Sequence, residues 1–317
     1  MAFIEHHIGS KDLISWGKET TFGSPVSADI YLGDNARCEP RDTKVFHEVL
    51  NSGSTTKMVT YHRGVDNYSG TLTFTPQDWK ILVAVFGDSS DVDIGGGKYS
   101  HTFANDVIVP TITLQHAHRA TTDHVKTYTS AKINRFTINF NQGGAGAGAE
   151  GGFIECAAEF QAKVGAAGTA TTGATNNDKE PFKFRQTQLK VNNSIVAEVI
   201  GGTIVIENGQ EFPRYADYAG TYYIGEPIDI VQRIYGNFTY NLKDDTLYDL
   251  YAAGAAINNC SLVFYRGAND DLTLTFTNFY MTGCNEVTRL ADVDRGNAVF
   301  RLESCVAVAK DTYATYP

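Results

Sequence analysis

The chain has 317 residues, 42% of them hydrophobic, enough for one large domain or two ordinary ones with cores of their own. Its formal net charge is −10 and no run of Lys or Arg stands out, which excludes a protein that grips nucleic acid by displacing counterions. Met1–His7 has neither the basic start nor the apolar core of a signal peptide, and no apolar stretch is long enough to cross a bilayer, so neither export nor membrane insertion is expected. Cys38, Cys156, Cys260, Cys284 and Cys305 are odd in number and lack C-x-x-C spacing, so they read as free, mostly buried thiols of a protein made in a reducing cytoplasm.

In chain order, an early strand is expected near Tyr31–Cys38, followed by a long polar excursion over Asp42–Asn67. A strand over Gly70–Phe74 then runs into a helix over Gln77–Phe86, with Thr75 as its cap, Pro76 in its first turn and Gly87 at its end. Strands are expected at Val107–Leu114, Lys132–Phe140 and Phe153–Lys163; in the middle one Phe136, Ile138 and Phe140 alternate with Arg135, Thr137 and Asn139. Val164–Pro181 is small, polar and aperiodic and reads as a linker between a domain at 1–163 and a second at 182–317.

The second half repeats this order. Phe182–Val191 and Gly202–Glu207 read as strands, Asn208–Arg233 as an excursion, Phe238–Tyr240 as a strand and Asp245–Ala253 as a helix stopped by Gly254. Strands follow at Cys260–Tyr265, Leu272–Phe279 and Val299–Ala309, where Leu272, Leu274 and Phe276 alternate with Thr273, Thr275 and Thr277. One signature occurs twice with the same spacing: Gly70, Thr73, Phe74 and Asp78, then Gly236, Thr239, Tyr240 and Asp244. Each excursion sits just before its signature and carries apolar residues: Val45, Phe46, Val49, Leu50, Val59 and Tyr61 in the first, Phe212, Tyr215, Tyr218, Tyr222, Tyr223 and Ile224 in the second. Such residues on a long loop are explained by an arm that orders against a partner.

Candidate chemistry is thin. Gly146–Gly151 fits G-x-G-x-x-G, but a strand rather than a helix is expected after it, so it reads as a hairpin tip. His116 and His118 could start a zinc site but lack further ligands at a recognisable spacing, and Asp88, Asp91 and Asp93 before Gly95 lack the closing Glu of a calcium loop. No nucleophile stands at motif spacing from a base, so no catalytic, cofactor or metal residue is assigned and no enzyme is expected.

Trp16-Gly17-Lys18-Glu19-Thr20-Thr21-Phe22-Gly23-Ser24-Pro25-Val26 resembles the N-terminal signature of the two-domain tail tube proteins of long-tailed, siphovirus-like bacteriophages, roughly G-x-E-x-x-[YF]-G-x-P-V. Gly97–Phe103 and Tyr128–Ile138 also resemble stretches of that family, with Ser130-Ala131 in place of its small-residue pair with Gly. The resemblance implies a mainly β chain: two tandem β-sandwich units, each with one short packed helix and a long loop or hairpin arm, that complete a β-barrel between molecules. It implies a structural virion protein in the tail, assembled in the host cytoplasm, whose three copies form a pseudo-hexameric ring. Rings stack into a tube around a tape-measure protein, meet tail terminator and tail-tip proteins, and pass double-stranded DNA without binding it specifically.

Four strands per unit would give about 24 around the wall, a circumference of roughly 150 Å and a backbone diameter of about 48 Å, room enough for a duplex. On this reading the two excursions are candidates for inter-ring arms, and Arg135, Thr137, Asn139, Thr273, Thr275 and Thr277 for the lumen or the outer wall. The alternative is a repeated β-sandwich binding module, an adhesin or carbohydrate-binding protein.

Overall fold

The computed structural model describes residues 12–50, 59–64, 66–103, 108–118, 124–143, 152–169, 174, 179–196, 199–216, 222–242, 245–287 and 295–317. The first half holds β1 (Asp12–Lys18), β2 (Ile30–Tyr31), β3 (Asp34–Pro40), β4 (Phe46–Leu50), β5 (Val59–Arg63), β6 (Tyr68–Thr75), β7 (Ser89–Gly95), β8 (Lys98–Phe103), β9 (Ile112–His118), β10 (His124–Asn141), β11 (Glu155–Ala162) and β12 (Val164–Gly168). The second holds β13 (Thr187–Val191), β14 (Ser194–Ile195), β15 (Val199–Glu211), β16 (Arg214–Ala216), β17 (Tyr222–Ile224), β18 (Ile228–Asn241), β19 (Cys260–Gly267), β20 (Asp270–Val287) and β21 (Arg295–Asp311). The helices are α1 (Val83–Phe86), entered through a 3-10 turn at Lys80–Leu82, and α2 (Thr246–Ala253).

The pairings repeat. In the first unit β3, β6, β11 and β10 lie side by side in that order; in the second, β15, β18, β21 and β20 do the same. Antiparallel pairing of β10 with β15 joins the two sets into one run of eight strands. Hairpin β4–β5 leaves between β3 and β6, and β16–β17 leaves between β15 and β18. The long strands then turn into a second layer. The first part of β10 pairs with β9 and β12, and β1 and β2 follow; the first part of β20 pairs with β19 and the end of β21, and β13 and β14 follow. Ser130 (φ 51°) and Asn278 (φ 47°), both left-handed, mark the two turns. The strands wrap into a barrel-like body around one apolar core that runs through both units.

The repeated signature has a packing cause. Gly70 lies opposite Phe160 on β11, and Gly236 lies opposite Phe300 on β21. A Cβ on Gly70 would stand 2.9 Å from the Phe160 ring; one on Gly236 would stand 2.8 Å from the Phe300 ring and 2.1 Å from the Thr203 carbonyl oxygen. Each glycine is the floor on which a neighbouring aromatic ring rests. Phe74 and Tyr240 turn into the core, while Thr73 is exposed on the opposite face. Gly236→Ala should cost at least about 1–3 kcal/mol through overpacking, read as a lower denaturant midpoint at unchanged slope.

Several expectations need correction. The linker begins later than Val164, because Val164–Gly168 is strand β12 paired with β10. Gly165 is small for a reason: a Cβ there would stand 2.7 Å from the Tyr68 ring. The first helix is shorter than Gln77–Phe86, and Thr75 does not cap it; Asp78 Oδ1 instead accepts from the backbone N–H of Lys80 (3.2 Å). His116 and His118 lie inside β9 rather than beyond it. No strand is expected at 89–103, but these residues form the hairpin β7–β8, which has no counterpart between α2 and β19. Ile224, expected on an exposed arm, is buried. Asp244, Tyr218 and most of the glycine-rich tip at 144–151 lie outside the described residues.

Candidate assembly surface

One face of the eight-strand run is apolar and covered. Phe136, Ile138, Phe140, Phe160, Ile204, Ile206, Phe238 and Phe300 all belong to the buried core. The opposite face is polar and open. Arg135, Thr137 and Asn139 stand on it, as alternation along β10 requires. Thr273, Thr275 and Thr277 do not join them. They precede the turn at Asn278, in the layer where β20 pairs with β19.

Charges on the polar face alternate in sign across strands. Register places Glu159 of β11, Arg135 of β10, Glu207 of β15 and Arg233 of β18 in one row. Arg135 lies 3.9 Å from Glu159 and 3.8 Å from Glu207, and the Tyr235 hydroxyl also donates to Glu207. The hydrogen bond to that carboxylate, with some burial, raises the tyrosine above its ordinary value. A row of paired opposite charges presents little net field to a polyanion passing over it.

Both ends of the eight-strand run are open. Among the described residues, β3 pairs only with β6 on its flank of the run, and from Tyr280 onward β20 pairs only with β21. Unpaired strand edges are templates for further pairing. The internal junction shows what fits. By position in the repeat, β3 corresponds to β15 and the end of β20 to the end of β10, the two strands already joined inside the chain.

The arms are two-stranded hairpins. Phe46, Tyr61 and Tyr215 are exposed, Val45 and Phe212 are half-buried, and Val49, Leu50, Val59, Tyr222 and Tyr223 lie in the hairpin strands. The sequence reading missed the root of the second arm. There β18 extends past the wall, leaving Ile228, Ile230 and Val231 exposed at 53, 62 and 53%. Asp229 between them points the other way, to Lys132 Nζ (2.7 Å) and the Val109 N–H (3.1 Å). Three branched apolar residues within four positions, inside an excursion read as loop, were the available signal.

The candidate metal residues are otherwise engaged. Asp88 pairs with Lys18 (2.9 Å), Asp93 accepts from the Gly95 N–H (2.7 Å), and Asp91 is bonded to His101. The His116 and His118 rings lie 4.3 Å apart, tilted by 58°, beside a groove of about 1070 Å³ between β3 and β12. Among the described residues no group of three or more His, Cys, Asp or Glu could hold a metal ion. The five cysteines are free; burial pushes the Cys38 thiol up to about 12 despite the pull of Lys126, and Cys305 likewise to about 12. Among the described residues no helix is long and apolar enough to cross a membrane.

The geometry defines a class: a mainly β protein whose strand order occurs twice, with one polar face and two open edges. A family model described as phage tail tube protein matches residues 9–300, and the chain belongs to that family. It is a structural protein of the bacteriophage virion tail, from a family that self-assembles into a tube with other tail components. No curated protein matches the chain.

Proposed function

We propose that three copies close into a ring through their open edges, and that rings stack into the hollow tube through which the viral DNA passes. The observation that carries this reading is the correspondence between the open edges and the internal β10–β15 junction. Aligning the two signatures puts Asn285 where Thr137 stands, because Ala157 links Thr137 to Thr73 as Asn297 links Asn285 to Thr239. The same alignment puts Arg41 where Val205 stands: the Arg41 N–H bonds the Ser69 carbonyl, and Val205 pairs with Tyr235, each partner one residue before its signature glycine. Thr137 faces Val205 within the chain, so Asn285 of one copy faces Arg41 of the next. Eight strands from each of three copies give the wall of about 24 strands whose bore admits a duplex.

On this reading Arg135, Thr137 and Asn139 line the bore, while Thr273, Thr275 and Thr277 lie outside it. The hairpin arms and the Ile228–Val231 root meet the neighbouring ring, and tape-measure, terminator and tip proteins meet the bore and the tube ends. The chain works as a scaffold and carries out no catalysis.

Negative-stain images of purified protein should show threefold rings or tubes. The chain with Asn285→Cys and Arg41→Cys together should give oxidised dimers and trimers on a denaturing gel, while each single substitution and the pair Thr275→Cys with Arg41→Cys should not. Persistent monomers, or rings that form without the Asn285–Arg41 cross-link, overturn the proposed closure.

A further inference from the structure

The two units are fastened a second time, away from the β10–β15 junction. Hairpin β7–β8 follows α1 of the first unit, yet β8 pairs with residues 307–311 at the end of β21 in the second. His101 of β8 sits at this seam with none of its surface exposed. Its Nδ1 lies 2.8 Å from Asp91 Oδ1 on β7, and its Nε2 lies 3.2 Å from Asp311 Oδ1 on β21. Residues 311–317 close over it: the Tyr316 ring stacks on the imidazole at 3.8 Å, its hydroxyl donates to Asp311 Oδ2 (2.7 Å), and its N–H donates to Asp91 Oδ2 (3.2 Å).

Both ring nitrogens therefore face carboxylate oxygens. A neutral imidazole has one N–H and one lone pair, so it would turn that lone pair against a carboxylate. Only the imidazolium donates both ways. The carboxylates already accept elsewhere, Asp91 from the Ser89 hydroxyl (2.6 Å) and Asp311 from the Tyr313 N–H (2.7 Å), as suits ionised groups. The charged or titratable groups against the ring are Asp91 on β7, Asp311 on β21 and Tyr316 after it, with Tyr313 bonded to Asp311, while Lys310 of β21 turns to the other face of the sheet and pairs with Asp271 (3.6 Å). Asp78 acts on Tyr316 from the first unit, and Lys80 lies 3.4 Å over the Tyr313 ring.

We propose that His101 is a proton-operated latch between the two units. With both ring nitrogens protonated it holds the β7–β8 hairpin and residues 311–317 against β21, and loss of one proton to water releases them. The latch rests on contacts within one chain and stands whether or not rings form.

The direction of the pH response follows. Burial pulls the imidazolium down, but the hydrogen bonds and charges of Asp311 and Asp91 outweigh it and raise the group above 6.5. The contribution is fully present below 6.5 and is lost as pH rises through the raised folded-state value. Burial also pushes Asp91 and Asp311 up, but their hydrogen bonds win and hold both below 3.8, so their share is lost only in stronger acid. The latch is tightest between about pH 4 and 6.5.

Hydrogen exchange followed from pH 6 to 9.5 tests this on the intact chain, with residues 132–141 as internal reference. Protection of residues 89–103 and 312–316 should fall relative to the reference by about tenfold for each unit by which the folded value exceeds 6.5. In His101→Gln both segments should exchange fast at every pH, without a step. No step in the unsubstituted chain, or an equal step in His101→Gln, overturns the latch. Side-chain nitrogen NMR on the unsubstituted chain decides independently of how the variant folds: the change of His101 from imidazolium to neutral ring should have its midpoint above 6.5, and a midpoint at or below 6.5 overturns the proposal.

Discussion

Replacing Glu19 by Ala should remove about 3–5 kcal/mol of stability and lower the melting temperature by on the order of 10 °C. Glu19 comes from the N-terminal signature and is only 4% exposed. Its Oε1 accepts from the Thr113 hydroxyl (2.7 Å) and the Ser130 N–H (2.8 Å), and its Oε2 from the Thr111 hydroxyl (3.0 Å) and the Ser130 hydroxyl (2.7 Å). Ser130 is the left-handed residue at the turn of β10, a conformation that costs a non-glycine residue about 1–2 kcal/mol. The carboxylate holds that turn and, through it, the signature loop: the Gly23 N–H donates to the Ser130 hydroxyl (2.6 Å), and the Val26 N–H to the Thr113 hydroxyl (3.0 Å). Alanine strands one backbone donor and three hydroxyls in a dry site. Glutamine should cost much less: its oxygen can serve Ser130 N–H and Thr113, while the Thr111 and Ser130 hydroxyls can rotate to accept from its amide. Calorimetry of both variants checks the order, and an Ala variant as stable as the Gln one removes the argument.

Changing Ile228→Asp and Ile230→Asp together should leave rings and abolish tubes. Each isoleucine is worth about 1.5–3 kcal/mol when fully buried, and a carboxylate buried in its place without a partner costs more than that gain. The proposed ring would carry three copies of the patch, so the loss would be many times the 1.4 kcal/mol that makes a tenfold change in affinity. Ring closure should survive because β3 and the end of β20 are separate from this root. Negative-stain images and sedimentation read the result. Tubes that persist would show that the root faces away from the neighbouring ring, and monomers would assign it to ring closure.

The repeat was legible because Gly70 and Gly236 stand under rings and must be glycine, which leaves a spaced trace in the sequence. The second half of that device, Phe160 and Phe300, was hidden by its distance along the chain. Trp79, Leu82, Val83 and Phe86 fit one helical face, yet Ile81, Ala84 and Val85 are buried as well. Trp79 packs on Phe182 and Phe264, and Gln77 Nε2 bonds Asp34 and the Lys179 carbonyl, so tertiary contacts displace the helix's first turn. Strand β12 looked like a linker because close packing against Tyr68 and Tyr128 demands small residues. Hairpin β7–β8 could not be read at all, since its partner strand is some 200 residues away. The candidate site followed the same rule. Alternation placed Arg135, Thr137 and Asn139 on the polar face, but no local pattern told which part of a bent strand Thr273, Thr275 and Thr277 occupy.

In the tube proposed above, hairpin β7–β8 lies in the layer away from the eight-strand run, and so would bear on anything that grips the tube from outside. Because the hairpin follows α1 and has no counterpart after α2, successive positions around the proposed three-copy ring would alternate between decorated and bare. An outer ligand would then find three handholds per proposed ring instead of six. A binder with sixfold valence could fill only half of its grips.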